Sequence, residues 1–277
     1  MTGFINVFKE EGVSSAYVTN RIKRLCRLSV GHMGTLDPLA SGILPVGVGN
    51  ATRLFDYFSD KTKVYEAKFR FGATTETLDR EGEIVSGGRI PSASEIAGAL
   101  PALTGVIEQI PPRFSAKSVN GKRGYELARA GAEFTLPPKR VRIEAFVLTG
   151  QTATDEYSFR IACGGGTYIR SLARDLAAAL GTQAYMTALC RTQSGIFTAE
   201  TSVPLDRLTK ENLSEYLIPT ENVLPFPVLD DADPRIFNGV AVPCGRADGR
   251  YKLYADGNFY GLAVVENGFA RAEKKLC

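Results

Sequence analysis

The stretch GHMGTLDPLASG, residues 31–42, follows a basic segment, RIKRLCRL (residues 21–28), and precedes an apolar one, ILPVGVG (residues 43–49). It sets a single acid, Asp37, inside a loop punctuated by glycine and proline. Taken alone, Asp before Pro reads as a turn former, because a short carboxylate readily bonds nearby backbone N–H groups. Just upstream, Ser14 is placed to cap a helix in which Val18, Ile22 and Leu25 recur at helical spacing, while Arg21, Lys23, Arg24 and Arg27 spread over the remaining surface. That pattern predicts an amphipathic helix with a basic outer face, suited to a polyanion and equally compatible with a plain solvated helix.

Further along, KVYEAKFRFG (residues 63–72) alternates Tyr65, Ala67, Phe69 and Phe71 against polar neighbours, the period of a half-buried strand. A second strand, EYSFRIACG, puts Tyr157, Phe159 and Ile161 on one side and stops at Gly164, Gly165 and Gly166. The next segment, TYIRSLARDLAAALG, carries Ile169, Leu172, Ala173, Leu176 and Leu180 on one helical stripe, with Thr167 as the expected cap and Gly181 as the stop. Between the two strands, residues 111–142 hold Arg113, Lys117, Lys122, Arg123, Arg129, Lys139, Arg140 and Arg142 against only Glu126 and Glu133. Pro-Pro near both ends and an internal Asn-Gly predict a basic arm off the main sheet, with a short helix at YELARAG. After the proline-marked joint at Asn222 to Pro227, the run YKLYADGNFYGLAVVE predicts a hairpin turning at Asp256, Gly257 and Asn258. The expected organisation is therefore a main domain over residues 1–225 and a small β-rich domain over residues 226–277.

Composition narrows the chemistry. At 277 residues and 44% hydrophobic, the chain can bury one large core and a small appendage. Its net charge of +3 is too mild to identify a nucleic-acid partner by itself. Five scattered cysteines and a single histidine, with no C-x-x-C pair, argue against a disulfide framework or a zinc site. There is no nicotinamide fingerprint, no Walker loop, no basic and apolar leader at the start, and no run approaching the roughly 18 apolar residues of a membrane span. The expectation is a cytoplasmic protein without metal or membrane partners.

In one order along the chain come GHMGTLDPLASGILPVGVGNATRL, KVYEAKFRFGATTETLDREG, QIPPRFSAKSVNGKRGYELARAG, GGGTYIRSLARDLAAALG and ALCRTQSG. Together they resemble the bacterial tRNA pseudouridine 55 synthases, the TruB family, over roughly residues 4–200. The resemblance implies an α+β fold: a mixed, largely antiparallel sheet flanked by helices, with an RNA-gripping arm and a shortened PUA-like C-terminal appendage. It implies isomerisation of a uridine in the T loop of tRNA, without cofactor, by a protein expected to be a monomer. It places Asp37 as the catalytic aspartate, Tyr65 as the tyrosine stacked on the target base, and Arg170 as the arginine paired with the aspartate. Asp79 matches an acidic position near the site, Arg53 one that is usually Lys or Arg, Leu189 a pocket-wall position and His32 a histidine beside the flipped-out nucleotides; these four and Tyr168 are expected to bind substrate. Lys122 and Arg123 fall in the arm, where they are expected to contact RNA. Met33, where the family usually has Thr, and KEEGVSS, which lacks the proline of the family's KPxGxTS, depart from the pattern at its edges.

The chemistry suits these residue types. Pseudouridine formation breaks the N1–C1′ bond and rejoins the ring through C5, so a group must act on the sugar C1′ or on base C6 and later leave, as a carboxylate can. An extruded base needs a stacking partner, and a phenol can either stack or assist removal of the C5 proton. Two rivals remain at this point: a noncatalytic RNA-binding protein on the same scaffold, and a synthase acting on a different RNA.

Overall fold

The computed structural model describes residues 1–58, 60–115, 118–119 and 121–276; the side chains of residues 86, 118, 119, 122, 123 and 129 lie outside that description. The alternation seen in the sequence forms the strand Lys63–Phe71, in which Tyr65, Ala67, Phe69 and Phe71 are buried while Glu66, Lys68 and Arg70 face outward. This strand lies inside a ten-stranded sheet. The main path runs Val203–Pro204, Gly3–Lys9, Ser41–Val48, Ala184–Ser194, Lys63–Phe71, Glu156–Cys163, Lys139–Ala153 and Gly105–Gln109. Gly3–Lys9 pairs with Val203–Pro204 in parallel, as does Ser41–Val48 with Ala184–Ser194, and the other pairings are antiparallel. With helices packed on it, the sheet gives the mixed, largely antiparallel α+β fold expected.

Apolar stripes explain the helix positions. In Ser15–Cys26, Val18 and Ile22 join the core, Ser14 Oγ accepts the Tyr17 N–H at 3.1 Å, and Arg27 ends the helix in the left-handed region at φ 57°. Ile169–Ala179 buries Leu172, Ala173 and Leu176 against the same core as Phe69 and Phe159. Its start differs from the sequence expectation. Thr167 Oγ1 donates to the Gly164 carbonyl at 2.9 Å instead of capping the helix. Tyr168 occupies the cap position, and the amide of buried Gln109 brackets its backbone, Oε1 accepting from the Tyr168 N–H at 2.8 Å and Nε2 donating to its carbonyl at 3.1 Å. Among the described residues, no side chain caps the first turn; a tertiary side chain instead fixes the backbone at the residue where the helix begins.

The arm leaves the sheet after Gln109 and carries a two-residue ribbon, Ser118–Val119 against Lys122–Arg123, and the short helix Gly124–Arg129. It ends sooner than the basic run suggests. Lys139, Arg140 and Arg142 already belong to the sheet strand Lys139–Ala153, registered against Gly105–Gln109, because Val141 and Ile143 alternate with them into the core.

A second, five-stranded sheet follows: Val228–Leu229, Gly249–Ala255, Asn258–Glu266, Phe269–Lys275 and Val242–Pro243, in that order. Its hairpin turns at Asp256 (φ 49°) and Gly257 (φ 76°), the two positive φ angles that a tight two-residue turn requires. Leu229, Ile236, Leu253, Ala263 and Val265 give it a core of its own. Leu262 and Leu276 instead pack with Phe4, Ile43, Leu54, Phe58 and Phe197 of the main body.

Candidate active site

Asp37 sits in a loop whose backbone is tied at nearly every step. Arg191 donates from Nη2 to the Gly34 carbonyl at 3.0 Å and from Nη1 to that of Thr35 at 3.5 Å. Ser15 Oγ donates to the Leu36 carbonyl at 2.9 Å and accepts the Leu36 N–H at 2.8 Å. The Pro38 carbonyl accepts the Gly12 N–H at 2.8 Å and Lys9 Nζ at 3.3 Å, and the Ala40 N–H closes a turn on the Asp37 carbonyl at 3.0 Å. Lys9 is fully buried, and its ammonium also reaches the carbonyls of Glu10 and Val13; burial pulls its pKa down to about 8. Gly42, at φ 110°, lets the following strand run against the Arg191 backbone, where any side chain would collide. Support of this density holds a reacting group in one geometry.

The carboxylate meets a buried arginine. Asp37 Oδ2 lies 2.9 Å from Arg170 Nη2, with 35% of the Asp37 side chain exposed and only 7% of the Arg170 side chain. Arg170 is itself fixed from behind: Nη1 donates to the Thr77 carbonyl at 2.9 Å and stands 3.4 Å from Asp79 Oδ2, and Nη2 donates to the Phe114 carbonyl at 3.0 Å. Asp79 is buried, its Oδ1 accepting from Thr77 Oγ1 at 2.5 Å and from the Glu81 N–H at 3.1 Å. One guanidinium therefore bridges an exposed carboxylate at the front and a buried one at the back, which aims Asp37 outward.

In front of Asp37 lies a cavity of about 270 Å³, lined by Lys63, Tyr65, Tyr168, Arg170, Met186, Leu189 and Arg191 among others. Burial pushes the Tyr65 phenol above its usual pKa, even though Arg191 beside it pulls the other way, so the ring is neutral at physiological pH. Burial likewise raises the Tyr168 phenol. Burial lowers Lys63 to about 8, helped by the Arg191 charge, and its ammonium donates to Ser194 Oγ at 2.7 Å. Apolar walls, a neutral phenol and one outward carboxylate suit a planar, uncharged heterocycle held against a nucleophile.

Of the residues singled out in the sequence, the structure brings Asp37, Tyr65, Arg170, Tyr168 and Leu189 to this cavity, with Asp79 directly behind it. His32 and Arg53 stand outside the cavity lining. His32 lies on the short strand Val30–His32; its Nδ1 is buried with no partner among the described residues, and burial followed by the Arg191 charge lowers its pKa. Arg53 turns to the second sheet and donates to the Lys275 carbonyl at 3.0 Å. The side chains of Lys122 and Arg123 lie outside the described residues. Sequence reading missed Arg191, Lys9, Ser15 and Lys63. A lysine and an arginine on otherwise apolar strands were the available signals, since such residues enter a core only with partners. Among the described residues, no group of three or more His, Cys, Asp or Glu side chains could hold a metal ion, and no helix is long and apolar enough to cross a membrane.

Two family models match the chain: the N-terminal domain of the TruB family pseudouridylate synthases over residues 22–169, and the C-terminal domain of tRNA pseudouridylate synthase B over residues 170–225. The chain belongs to the TruB family of pseudouridylate synthases. Among TruB relatives named tRNA pseudouridine synthase B, that of Clostridium kluyveri is 37% identical over 277 residues, covering 95% of this chain and 96% of its own. That of Rhodospirillum rubrum is 42% identical over 242 residues, covering 84% and 79%. A solved Cbf5-Nop10-Gar1 complex matches at a TM-score of 0.71 and 24% identity, over 99% of this chain and 85% of that one, and so shares the fold. The junction between the two TruB models falls between Ile169 and Arg170, so the Asp37–Arg170 pair joins one matched segment to the other.

Proposed function

We propose that this enzyme isomerises uridine 55 in the T loop of tRNA to pseudouridine, with Asp37 as nucleophile. The observation that carries the reading is the outward carboxylate of Asp37, fixed through one oxygen by buried Arg170 at 2.9 Å, at a cavity walled by Tyr65 and Leu189. The names of the relatives, tRNA pseudouridine synthase B, support the substrate class.

The target uridine leaves its stack and enters the cavity, where the neutral Tyr65 ring packs on the base. Asp37 attacks the sugar C1′ or base C6, the N1–C1′ bond breaks, and the ring turns to present C5 to C1′. The new C1′–C5 bond forms, the C5 proton leaves, N1 gains a proton and the carboxylate is released. Arg170 holds the direction of attack, and the Tyr65 phenol lines the same cavity from which the C5 proton departs. The isomerisation has no net redox change, so the reading requires neither cofactor nor metal. Outside the cavity the basic arm, Lys122 and Arg123 included, and the basic face of Ser15–Cys26 hold phosphates irrespective of sequence. His32, Arg53 and the second sheet extend the RNA contact, and the protein acts as a cytoplasmic monomer with residues 226–277 as its RNA-binding appendage.

The test is incubation of the purified protein with unmodified tRNA, followed by carbodiimide treatment and primer extension. A single new stop one nucleotide 3′ of uridine 55 is the expected result. A stop elsewhere would refute the substrate, and no stop at any uridine would refute the reaction.

A further inference from the structure

The cations at the cavity differ in how their donors are used. Arg170 is taken up by two carboxylates and two carbonyls, and Arg191 by the carbonyls of Ile43, Gly34 and Thr35. Lys63 is different. Its ammonium has three donors, and the partner found among the described residues is a neutral hydroxyl, Ser194 Oγ. No carboxylate among them lies within ion-pair distance of it; nearby Asp60 accepts the Thr62 N–H with its Oδ1. A half-buried ammonium without a counter-ion is costly, and burial accordingly brings its pKa down to about 8.

A second ammonium stands beside another residue of the cavity lining, Gly166. Gly166, which lines the same cavity at φ 84°, has Lys139 Nζ so close that a side chain there would have to push the ammonium aside. Lys61 packs its Cβ against the neighbouring Gly165, 3.4 Å from where a Cβ would stand. The glycine turn thus leaves room for lysines arriving from two other elements, beside a cavity that Asp37 also lines. Lys139 is exposed and has no ion pair among the described residues.

We propose that Lys63 and Lys139 together bind one of the two phosphodiesters flanking the target uridine, making Lys63 a substrate-positioning residue. The inference rests on the reading above that an RNA nucleotide enters this cavity. Uracil is neutral, so the anion its nucleotide brings is the backbone phosphate, and extrusion of a base swings that backbone to the cavity mouth. The ammonium of Lys63 in the cavity wall and that of Lys139 beside Gly166 on the same cavity match a phosphodiester in charge, and fixing it sets how deep the ribose C1′ can travel toward Asp37.

The test uses a T-arm stem-loop in three forms: all native, with a neutral methylphosphonate 5′ of the target uridine, and with one 3′ of it. With the wild-type protein, one neutral linkage is expected to raise KM about tenfold or more, the scale of one charge-assisted hydrogen bond. Lys63→Gln should raise KM on native RNA, and that same linkage should then cost the variant several-fold less than it costs the wild type, because only the Lys139 contact remains to be lost, while Lys63→Arg retains most of the affinity. Lys63→Gln combined with Lys139→Ala should flatten the slope of log K against log[salt] by about 0.7–0.9, as for one lost phosphate contact, and Lys139→Ala alone by less. Penalties of variant and linkage that multiply at both positions, or a wild-type protein indifferent to both linkages, would overturn the proposal. The wild-type arm does not depend on any variant folding. Failure of the wild-type protein to convert even the native stem-loop would instead overturn the RNA reading, and the proposal with it.

Discussion

Asp37 touches Arg170 through one oxygen, while Arg170 touches Asp79 as well, so substitutions at the two ends of this pair should behave differently. Arg170→Lys keeps a charge near both acids but loses the planar fork that sets the direction of Asp37. It should lower kcat by roughly ten- to a hundredfold, with little change in the urea midpoint. Arg170→Met strands buried Asp79 without its cation and should cost about 3–5 kcal/mol of stability in the same urea titration. Asp37, Tyr65, Asp79 and Arg170 were legible in the sequence because the motifs place them, each in a short stretch of restricted composition. Lys9, Ser15 and Arg191 were not. They act on the loop by reaching backbone carbonyls and amides from separate strands and a helix, and no local spacing announces a hydrogen bond between residues 21 or 156 positions apart.

At the scale of elements, alternation and glycine punctuation were enough to find the central strands and the hairpin, and they failed where tertiary contacts replaced local ones. Thr167 turned back to the Gly164 carbonyl while Gln109 fixed the backbone of Tyr168, and the pairing with Gly105–Gln109 drew Lys139 to Arg142 out of the arm. Glu156 shows what strand order adds. Its carboxylate ties three neighbouring strands, accepting from Thr152 Oγ1 at 2.8 Å and Thr187 Oγ1 at 2.8 Å and lying 3.4 Å from Arg70 Nη2. Burial alone would raise its pKa, but the two hydroxyls and the Arg70 and Lys68 charges outweigh burial and hold it below the usual carboxylate value. A depressed carboxyl contributes stability that is present above its unfolded pKa, about 4.3, and is lost as pH falls through the folded value. Glu156→Gln should therefore destabilise by about 1–3 kcal/mol at pH 7, the scale of hydrogen bonds to a charged group. The gap in Tm between variant and wild type should narrow from about pH 5 downward. A gap that is constant with pH would show that the carboxylate charge is not what binds the strands.

Across the whole molecule, the composition suggested one large core with a small appendage, but it could not show that residues of the second sheet share a cluster with the main body. Leu262 and Leu276 fill space beside Phe4, Ile43, Leu54 and Phe58, and Asn50 Nδ2 and Arg53 Nη1 reach the last strand's end at the carbonyls of Leu276 and Lys275. Such contacts join residues more than 200 positions apart and leave no local pattern. Leu262→Ala should cost about 2–5 kcal/mol, as for other buried leucines. Calorimetry should record one transition shifted downward for the whole chain. An early, separate transition with the main transition unmoved would mean that the second sheet unfolds on its own. Because the Asp37 site lies wholly in the main body, the loss should appear in stability and RNA affinity before it appears in kcat.

The central claim, that Asp37 is the nucleophile of a tRNA uridine isomerase, is tested most directly by Asp37→Asn. The amide keeps the shape of the side chain and removes its charge and nearly all of its nucleophilicity. The measurement is tritium release from C5-labelled uridine in tRNA, beside filter binding on the same preparation. Binding within a few-fold of wild type, with release reduced by at least about a thousandfold, is the predicted result. Release at near wild-type rate by Asp37→Asn would contradict the claim.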